Sequence, residues 1–279
     1  MSYKIVADSG CDLNPELAET LQVHRVPLTI YVGGQELRDD DNLQIPELLR
    51  LMRESAEAPR TACPSPHDFY EAYQGDHRGV FVVTLSSKLS GTFESAVLAK
   101  QMLLESGSDK FIHVFDSQSA SIGETLVSCK IFELVKQNCH DLEIVEKVTQ
   151  YIKEMKTFFL LESLDHLVKS GRVSKVVGKL ASVLSVKLIM GDDGDGSIRL
   201  VEKVRGAQKA FRRFVEIIGE QGERLEEKVL GIAHCNALER AEEFKREVLK
   251  RFKFKDVIIV EMSGLSSVYA DEGGIVVAF

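Results

Sequence analysis

VVTLSSKLSGTFESAVLAK, residues 82–100, runs from β-branched residues through serines and a glycine into a helical pattern. Val82, Val83 and Thr84 suit an extended strand, and the spacing from about Thr92 to Glu105 predicts a helix. The turn between them therefore joins the carboxyl end of a strand to the N-terminus of a helix. The same order recurs on both sides of it. KIVADS (4–9), RVPLTIYV (25–32), GVFVVTL (79–85) and FIHVFDS (111–117) read as strands. PELLRLMRES (46–55) reads as a helix with Pro46 in its first turn, where a missing N–H costs little. Ser121 and Glu124 have capping-box spacing at the head of another. Strand, polar turn and helix in repetition point to parallel βαβ units, and short runs such as FVV suit strands covered on both faces.

The pattern changes after the amphipathic helix at 141–156. TFFLLES (157–163) reads as a strand, and GRVSKVVGKLASVLS as helical. VKLIM and SIRLVEKV flank GDDGDG as a hairpin with Asp-Gly turn chemistry. Helices at AQKAFRRFVEIIG and ALERAEEFKREVLKRF then alternate with strands at KVLGIAH, DVIIVEM and GGIVVAF. An α+β unit is expected to begin near residue 156.

Bulk composition narrows the function. The 279 residues carry 43 acidic and 35 basic side chains, a net charge of -8. That balance argues against a nucleic-acid footprint, which needs a basic face. No apolar run approaches the ~18 residues of a membrane span, and the N-terminus enters a strand without an apolar signal core. Five scattered cysteines lack CxxC or zinc spacing and read as reduced thiols of a cytoplasmic protein.

Ligands of open parallel sheets bind at the carboxyl ends of strands. Here those ends carry Asp8-Ser9, Ser86-Ser87 with Ser90-Gly91, and Asp116-Ser117. The Ser90-Gly91-Thr92 turn adds free N–H groups and a positive dipole end, which suit an anion, and Gly91 permits close approach to the backbone. Alternatively, Ser90 simply caps its helix, a contribution of about 1 kcal/mol. Thr61, in the stiff loop TACPSP (61–66), offers another hydroxyl; on these residues alone a plain connection is favoured over a binding edge.

Other chemistries find little to build on. The twelfth position of a calcium loop starting at Asp192 or Asp193 would be Lys203 or Val204, not a bidentate Glu. No GxGxxG or Walker loop occurs, so no self-contained ATP site is expected. The seven histidines form no metal-ligand spacing, and His234 reads as a core histidine. Ser90 with a distant histidine remains open as a nucleophile.

ADSGCDL (7–13), VPLTIYVGGQELRDD (26–40), TACPSP and LSSKLSGTFESA (85–96) together resemble the DegV family of bacterial fatty-acid-binding proteins. DSQSASIG (116–123), LVKSGRVS (167–174) and VEKVRGAQKA (201–210) carry the resemblance over almost the whole chain. It implies an α/β/α domain with a parallel sheet over 1–156. A two-layer α/β domain with a mixed or antiparallel sheet would follow over 157–279. It implies a long-chain fatty acid in a buried tunnel, with its carboxylate met by Thr61 and Ser90 and the Gly91 N–H as a third donor. No cofactor, metal or catalytic residue is implied. Instead, a separate ATP-dependent fatty acid kinase would phosphorylate the bound acid, docking near Arg172 and Arg205 of the GRVS and KVRG motifs. Each arginine alternatively satisfies a helix end or carboxylate within the fold.

Hydroxyls and a helix N-terminus can hold a dehydrated carboxylate without a buried cation. The tail should dominate affinity: sixteen carbons at about 0.8 kcal/mol each give on the order of 12 kcal/mol before association costs. One departure stands out. The family commonly has a threonine-histidine-glycine-proline-glycine type segment before its last strand, with the histidine near the carboxylate. Here VYADEGGIVVAF (268–279) places Ala270 at about that histidine, with Asp271 and Glu272 adding negative charge. A different acyl or anionic ligand is therefore an open expectation. A second is an enzyme acting on a small phosphorylated or carboxylated metabolite at the same turn, which would need a short, wet pocket. A third is a protein that only senses or buffers a lipid.

Overall fold

The computed structural model describes residues 3–181 and 185–279. Among these the strands form three sheets. The first is parallel and takes Tyr3–Asp8, His24–Val26, Gly79–Thr84 and Phe111–Asp116, with Tyr3–Asp8 and Gly79–Thr84 at its centre. Every residue of Gly79–Thr84 is buried, as the unbroken apolar run predicts. One face, through Val6, Val80 and Val82, packs on the helices Pro66–Ala72 and Thr92–Glu105. The other, through Ile5, Ala7, Phe81 and Val83, packs on Ile122–Lys136 and Asp141–Glu154. This gives the α/β/α layering.

The strand expected over 25–32 is two strands. Pro27 has no N–H to donate, and the chain changes sheets there. His24–Val26 stays in the parallel sheet. Thr29–Val32 pairs antiparallel with Gln35–Arg38 and with Arg60–Ala62, a third sheet absent from the sequence reading. Gly33 and Gly34, at φ 58° and 74°, make the two-residue turn of the hairpin. Thr61, read as part of a connection, is therefore fixed on a strand opposite Ile30.

A six-stranded sheet of mixed direction starts at Thr157–Leu160. That strand lies between Val186–Asp192 and the final strand Ile275–Ala278. The predicted hairpin is present, Val186–Asp192 running antiparallel to Ile198–Arg205. Val229–His234 and Asp256–Glu261 complete the sheet as a parallel pair. Alternation along Ile275–Ala278 divides two cores. Ile275 and Val277 pack with Phe214, Phe244 and other residues of the helices Ala207–Gln221 and Leu238–Leu249. Val276 and Ala278 face the core shared with the first sheet. Ile122–Lys136 lies between the sheets. A Cβ on Gly231 would meet Ile122 Cγ1 at 2.4 Å, so glycine is required for this approach. Of the helical stretch read at 171–185, Lys175–Ala181 is a helix, and 182–184 lie outside the described residues.

Candidate functional site

The loops at the carboxyl ends of the parallel strands brace one another. Ser86 N–H donates to Ser119 O at 2.9 Å, and Ser117 N–H to Thr84 O at 3.2 Å. Asp8 faces no open ligand site: its two carboxylate oxygens accept the N–H groups of Gly10 and Leu85, each at 2.8 Å. Asp116 likewise accepts from the backbone of Ser87 and Gln118. Both strand-end carboxylates hold the loops in shape.

Ser90 is not the helix cap. Gly91 occupies the N-cap position of Thr92–Glu105 with no side-chain cap bond, and the Ser90 hydroxyl pairs with Thr92 Oγ1 at 2.8 Å. The first-turn N–H groups therefore receive no side-chain cap from the N-cap residue. Gly91 has an ordinary φ of -75°, and the nearest atom to an added Cβ would be Cys63 Sγ at 3.6 Å. The TACPSP loop thus lies against the turn. Ser65 in that loop forms a true capping box with Asp68.

Thr61 and Ser90 open onto one cavity, which leaves about 130 Å³ for the centres of water-sized guests. Most of its wall is apolar, with Leu28, Leu85, Phe159, Leu167, Leu265 and Val276 among the lining residues. The hairpin tip closes one side: Ser86 Oγ donates to Gly196 O at 2.8 Å. Gly196 has φ 94°, and a Cβ there would lie 2.3 Å from Ser86 Oγ.

The residue that sequence reasoning missed is Tyr269. Its hydroxyl is 2.8 Å from Thr61 Oγ1, and it lines the cavity with Ser266 and Ala270. An aromatic hydroxyl beside Ala270 in VYADEGG was the available signal. Ala270 does reach the cavity, but the polar group near Thr61 comes from the residue before it. Asp271 and Glu272 do not line it; Glu272 bonds outward to Arg53 at 3.0 Å and to Asn236 at 2.6 Å.

Gly91 faces an adjoining, more open polar groove, which shares Leu89, Ser90, Arg172, Ser197 and Ile198 with the cavity. Arg172 donates to Leu89 O at 3.0 Å and Ser170 O at 2.7 Å, so its guanidinium ties the GRVS loop to the binding turn. Arg205 is exposed at the end of Ile198–Arg205 and does not line the cavity. The two arginines thus stand differently, and only Arg172 belongs to the site's own framework. His234 is a satisfied core residue: Nδ1 accepts from Ala237 N–H at 3.3 Å, and burial holds its pKa below the usual histidine value.

The expected capping box at Ser121 and Glu124 does not form. Ser121 has φ 58° with no cap bond, and its hydroxyl instead donates to Asp12. Glu124 is fully buried beside Asp8. Among the described residues, no group of three or more His, Cys, Asp or Glu is arranged to hold a metal ion, and no helix is long and apolar enough to cross a membrane.

A family model for an uncharacterised protein of the DegV family matches residues 2–279. A DegV domain-containing protein of Streptococcus pyogenes serotype M1 is 35% identical over 281 residues, covering 100% of this chain and 99% of the relative. A DegV-family protein of Ruminococcus gnavus, solved with vaccenic acid, is 41% identical with a TM-score of 0.95, covering 100% of this chain and 99% of its own. The fatty acid kinase B3 protein of Streptococcus pneumoniae, solved loaded with linoleic acid, is 34% identical. Its TM-score is 0.92, with 100% of this chain and 99% of that one covered. The cavity, its hydroxyls and these matches along the full length agree, and this chain belongs to the DegV family.

Proposed function

We propose that the protein holds a long-chain fatty acid in this cavity and serves a separate ATP-dependent kinase. The carboxylate lies at the hydroxyls of Thr61, Ser90 and Tyr269, with the Gly91 N–H as a further donor. The observation that carries the reading is a largely apolar cavity whose wall presents a pair of neutral hydroxyls, Thr61 and Tyr269, in mutual contact. Neutral donors orient a carboxylate while leaving its oxygen nucleophilic; a lysine in contact would hold it more firmly. A small soluble metabolite calls instead for a short polar pocket; the cavity wall is mostly apolar, and only the adjoining groove at Gly91 is polar. The bound acids of the R. gnavus and S. pneumoniae structures support the ligand class, and the latter protein's kinase designation supports the partner.

In the transfer, a carboxylate oxygen forms a bond to the γ-phosphorus of ATP while the bond to the β,γ-bridging oxygen breaks. ADP leaves, and the acid becomes an acyl phosphate. The adjoining groove is the side from which a phosphoryl donor reaches Ser90.

Organic extraction of the natively purified protein, read by mass spectrometry, should return a long-chain fatty acid near one per chain. Thr61→Ala combined with Ser90→Ala should stay folded and weaken retention roughly 100- to 200-fold, since two lost bonds to a charged group at about 1.5 kcal/mol each total about 3 kcal/mol. An extract empty of lipid from folded protein would remove the reading. Unchanged retention in the double variant would remove the clamp.

Kinase docking divides the arginines. Arg205→Ala should slow acyl phosphorylation about tenfold with lipid retention intact, as loss of an exposed interface charge acts mainly on encounter. Arg172→Ala should also loosen the Leu89-Ser90 turn and lower retention. Loss of lipid with undiminished phosphorylation per bound acid in the Arg205 variant would rule out docking there.

A further inference from the structure

The helix Gly264–Ala270 brings Leu265, Ser266, Tyr269 and Ala270 to the cavity wall, yet at 7 residues it is too short to hold itself. Its N-cap residue, Ser263, makes no side-chain cap bond to it. The amide protons at its start are taken instead by two buried carboxylates from the distant N-terminal region. Asp39, 3% exposed, accepts the Gly264 N–H on Oδ1 at 2.7 Å and the Leu265 N–H on Oδ2 at 2.8 Å. Asp12 accepts the Ser263 N–H at 2.8 Å and its hydroxyl at 2.6 Å.

The close approach of Asp39 requires glycine at position 264. A Cβ on Gly264 would lie 2.5 Å from Asp39 Oδ1, 2.3 Å from Leu43 Cδ2 and 2.9 Å from Ile30 Cδ1. Asp39 is itself held by its own N–H, which donates to Leu28 O at 2.9 Å. Leu28 lines the cavity. The carboxylate therefore joins the wall segment at Leu28 to the start of the helix that carries Tyr269 at its far end.

We propose that Asp39 is a positioning residue of the ligand site, holding the Gly264–Ala270 helix and through it the Tyr269 hydroxyl against the cavity. The anchoring stands on the geometry alone, whereas its consequence for a bound acid rests on the fatty-acid reading. A carboxylate meets two adjacent N–H groups with two acceptors. An asparagine offers one acceptor and turns an NH₂ toward the other N–H, so Asp39→Asn removes the fork at constant volume.

Two measurements test it. Amide hydrogen exchange of the purified chain should rise over 264–270 in Asp39→Asn, with the parallel sheet unchanged. Dissociation of oleic acid into phosphatidylcholine vesicles should quicken about tenfold in Asp39→Asn and in Tyr269→Phe, the loss of one charge-assisted bond in each case. The double variant should also show about tenfold, because Asp39 acts through the residue already removed. A hundredfold, additive double variant would overturn the proposal, as would unchanged exchange or unchanged dissociation in Asp39→Asn. Failure of the unsubstituted protein to hold oleic acid would overturn the ligand-site role by removing the fatty-acid reading, and the exchange result would still report the anchoring. Should Asp39→Asn not fold, Asp39→Ser serves in the same cycle.

Discussion

Glu124→Gln should gain about 2 kcal/mol of stability on the unsubstituted chain between pH 7 and 8.5, flattening a decline that the unsubstituted chain shows over that range. Glu124 and Asp8 are both fully buried, and an oxygen of each lies within 3 Å of the same point, where a Cβ on Gly10 would sit. Both oxygens of Asp8 already accept backbone N–H groups, whereas among the described residues neither oxygen of Glu124 has a hydrogen-bond partner of normal geometry. Two such carboxyls without a cation cannot both be charged, so the charge belongs on Asp8 and the proton on Glu124. Burial pushes Asp8 up to about 7 and Glu124 well above the usual range, the charge of Asp8 adding to the latter.

The sign follows. A group whose folded pKa is raised keeps a proton that the unfolded chain releases, so its stabilisation is lost as pH rises through the folded value. Burial lowers His24, His113, His166 and His234, which gives the opposite slope, but only below about pH 6.5, the ordinary histidine value. Above pH 7 the acids are left to act. Urea midpoints at pH 7, 7.75 and 8.5 should therefore fall for the unsubstituted chain and fall much less for Glu124→Gln, whose amide can donate to Asp8. The buried thiols of Cys11, Cys129 and Cys235, pushed up by burial, leave a shallow decline toward pH 8.5 in both. Asp8→Asn should destabilise at every pH, because it sets an NH₂ against a backbone N–H. A flat or rising profile in the unsubstituted chain would contradict the assignment of the proton.

That pair shows where the sequence stops being legible. The βαβ rhythm, the hairpin at GDDGDG and the strand-turn-helix at 82–100 depend on neighbours a few residues apart, and periodicity reads such neighbours well. Ser121 and Glu124 had the right spacing for a capping box, but the Ser121 hydroxyl goes to Asp12, 109 residues away. The start of Ile122–Lys136 is buried between two sheets, so long-range partners replace the local cap. Thr61 looked like a connector because its strand exists only by pairing with Thr29–Val32. Asp39 carries no local pattern, and Tyr269 only its place beside Ala270. Their roles arise where the chain's two ends meet, and only the fold brings them together.

Val276→Phe should cut retention of an eighteen-carbon acid by roughly 30- to 100-fold while leaving short acids little affected. Val276 lies in an interior strand of the six-stranded sheet, yet remains partly exposed and lines the cavity. Its neighbours Ile275 and Val277 point to the opposite, fully packed core. The added ring must therefore enter space that the proposed acyl chain would use. Displacing about three methylenes at ~0.8 kcal/mol each costs about 2.4 kcal/mol, which sets the expected loss. Overpacking a core can itself destabilise by about 1–3 kcal/mol, so the urea midpoint is needed beside the lipid content. Chain length separates the causes. A blocked tail path penalises long acids and spares those that end before the ring, whereas damage at Thr61, Ser90 or Tyr269 penalises all acids alike because every one carries the same carboxylate. A folded Val276→Phe protein that still retains the eighteen-carbon acid would mean that the tail runs elsewhere. Equal loss across chain lengths would mean that the ring acts on the head group.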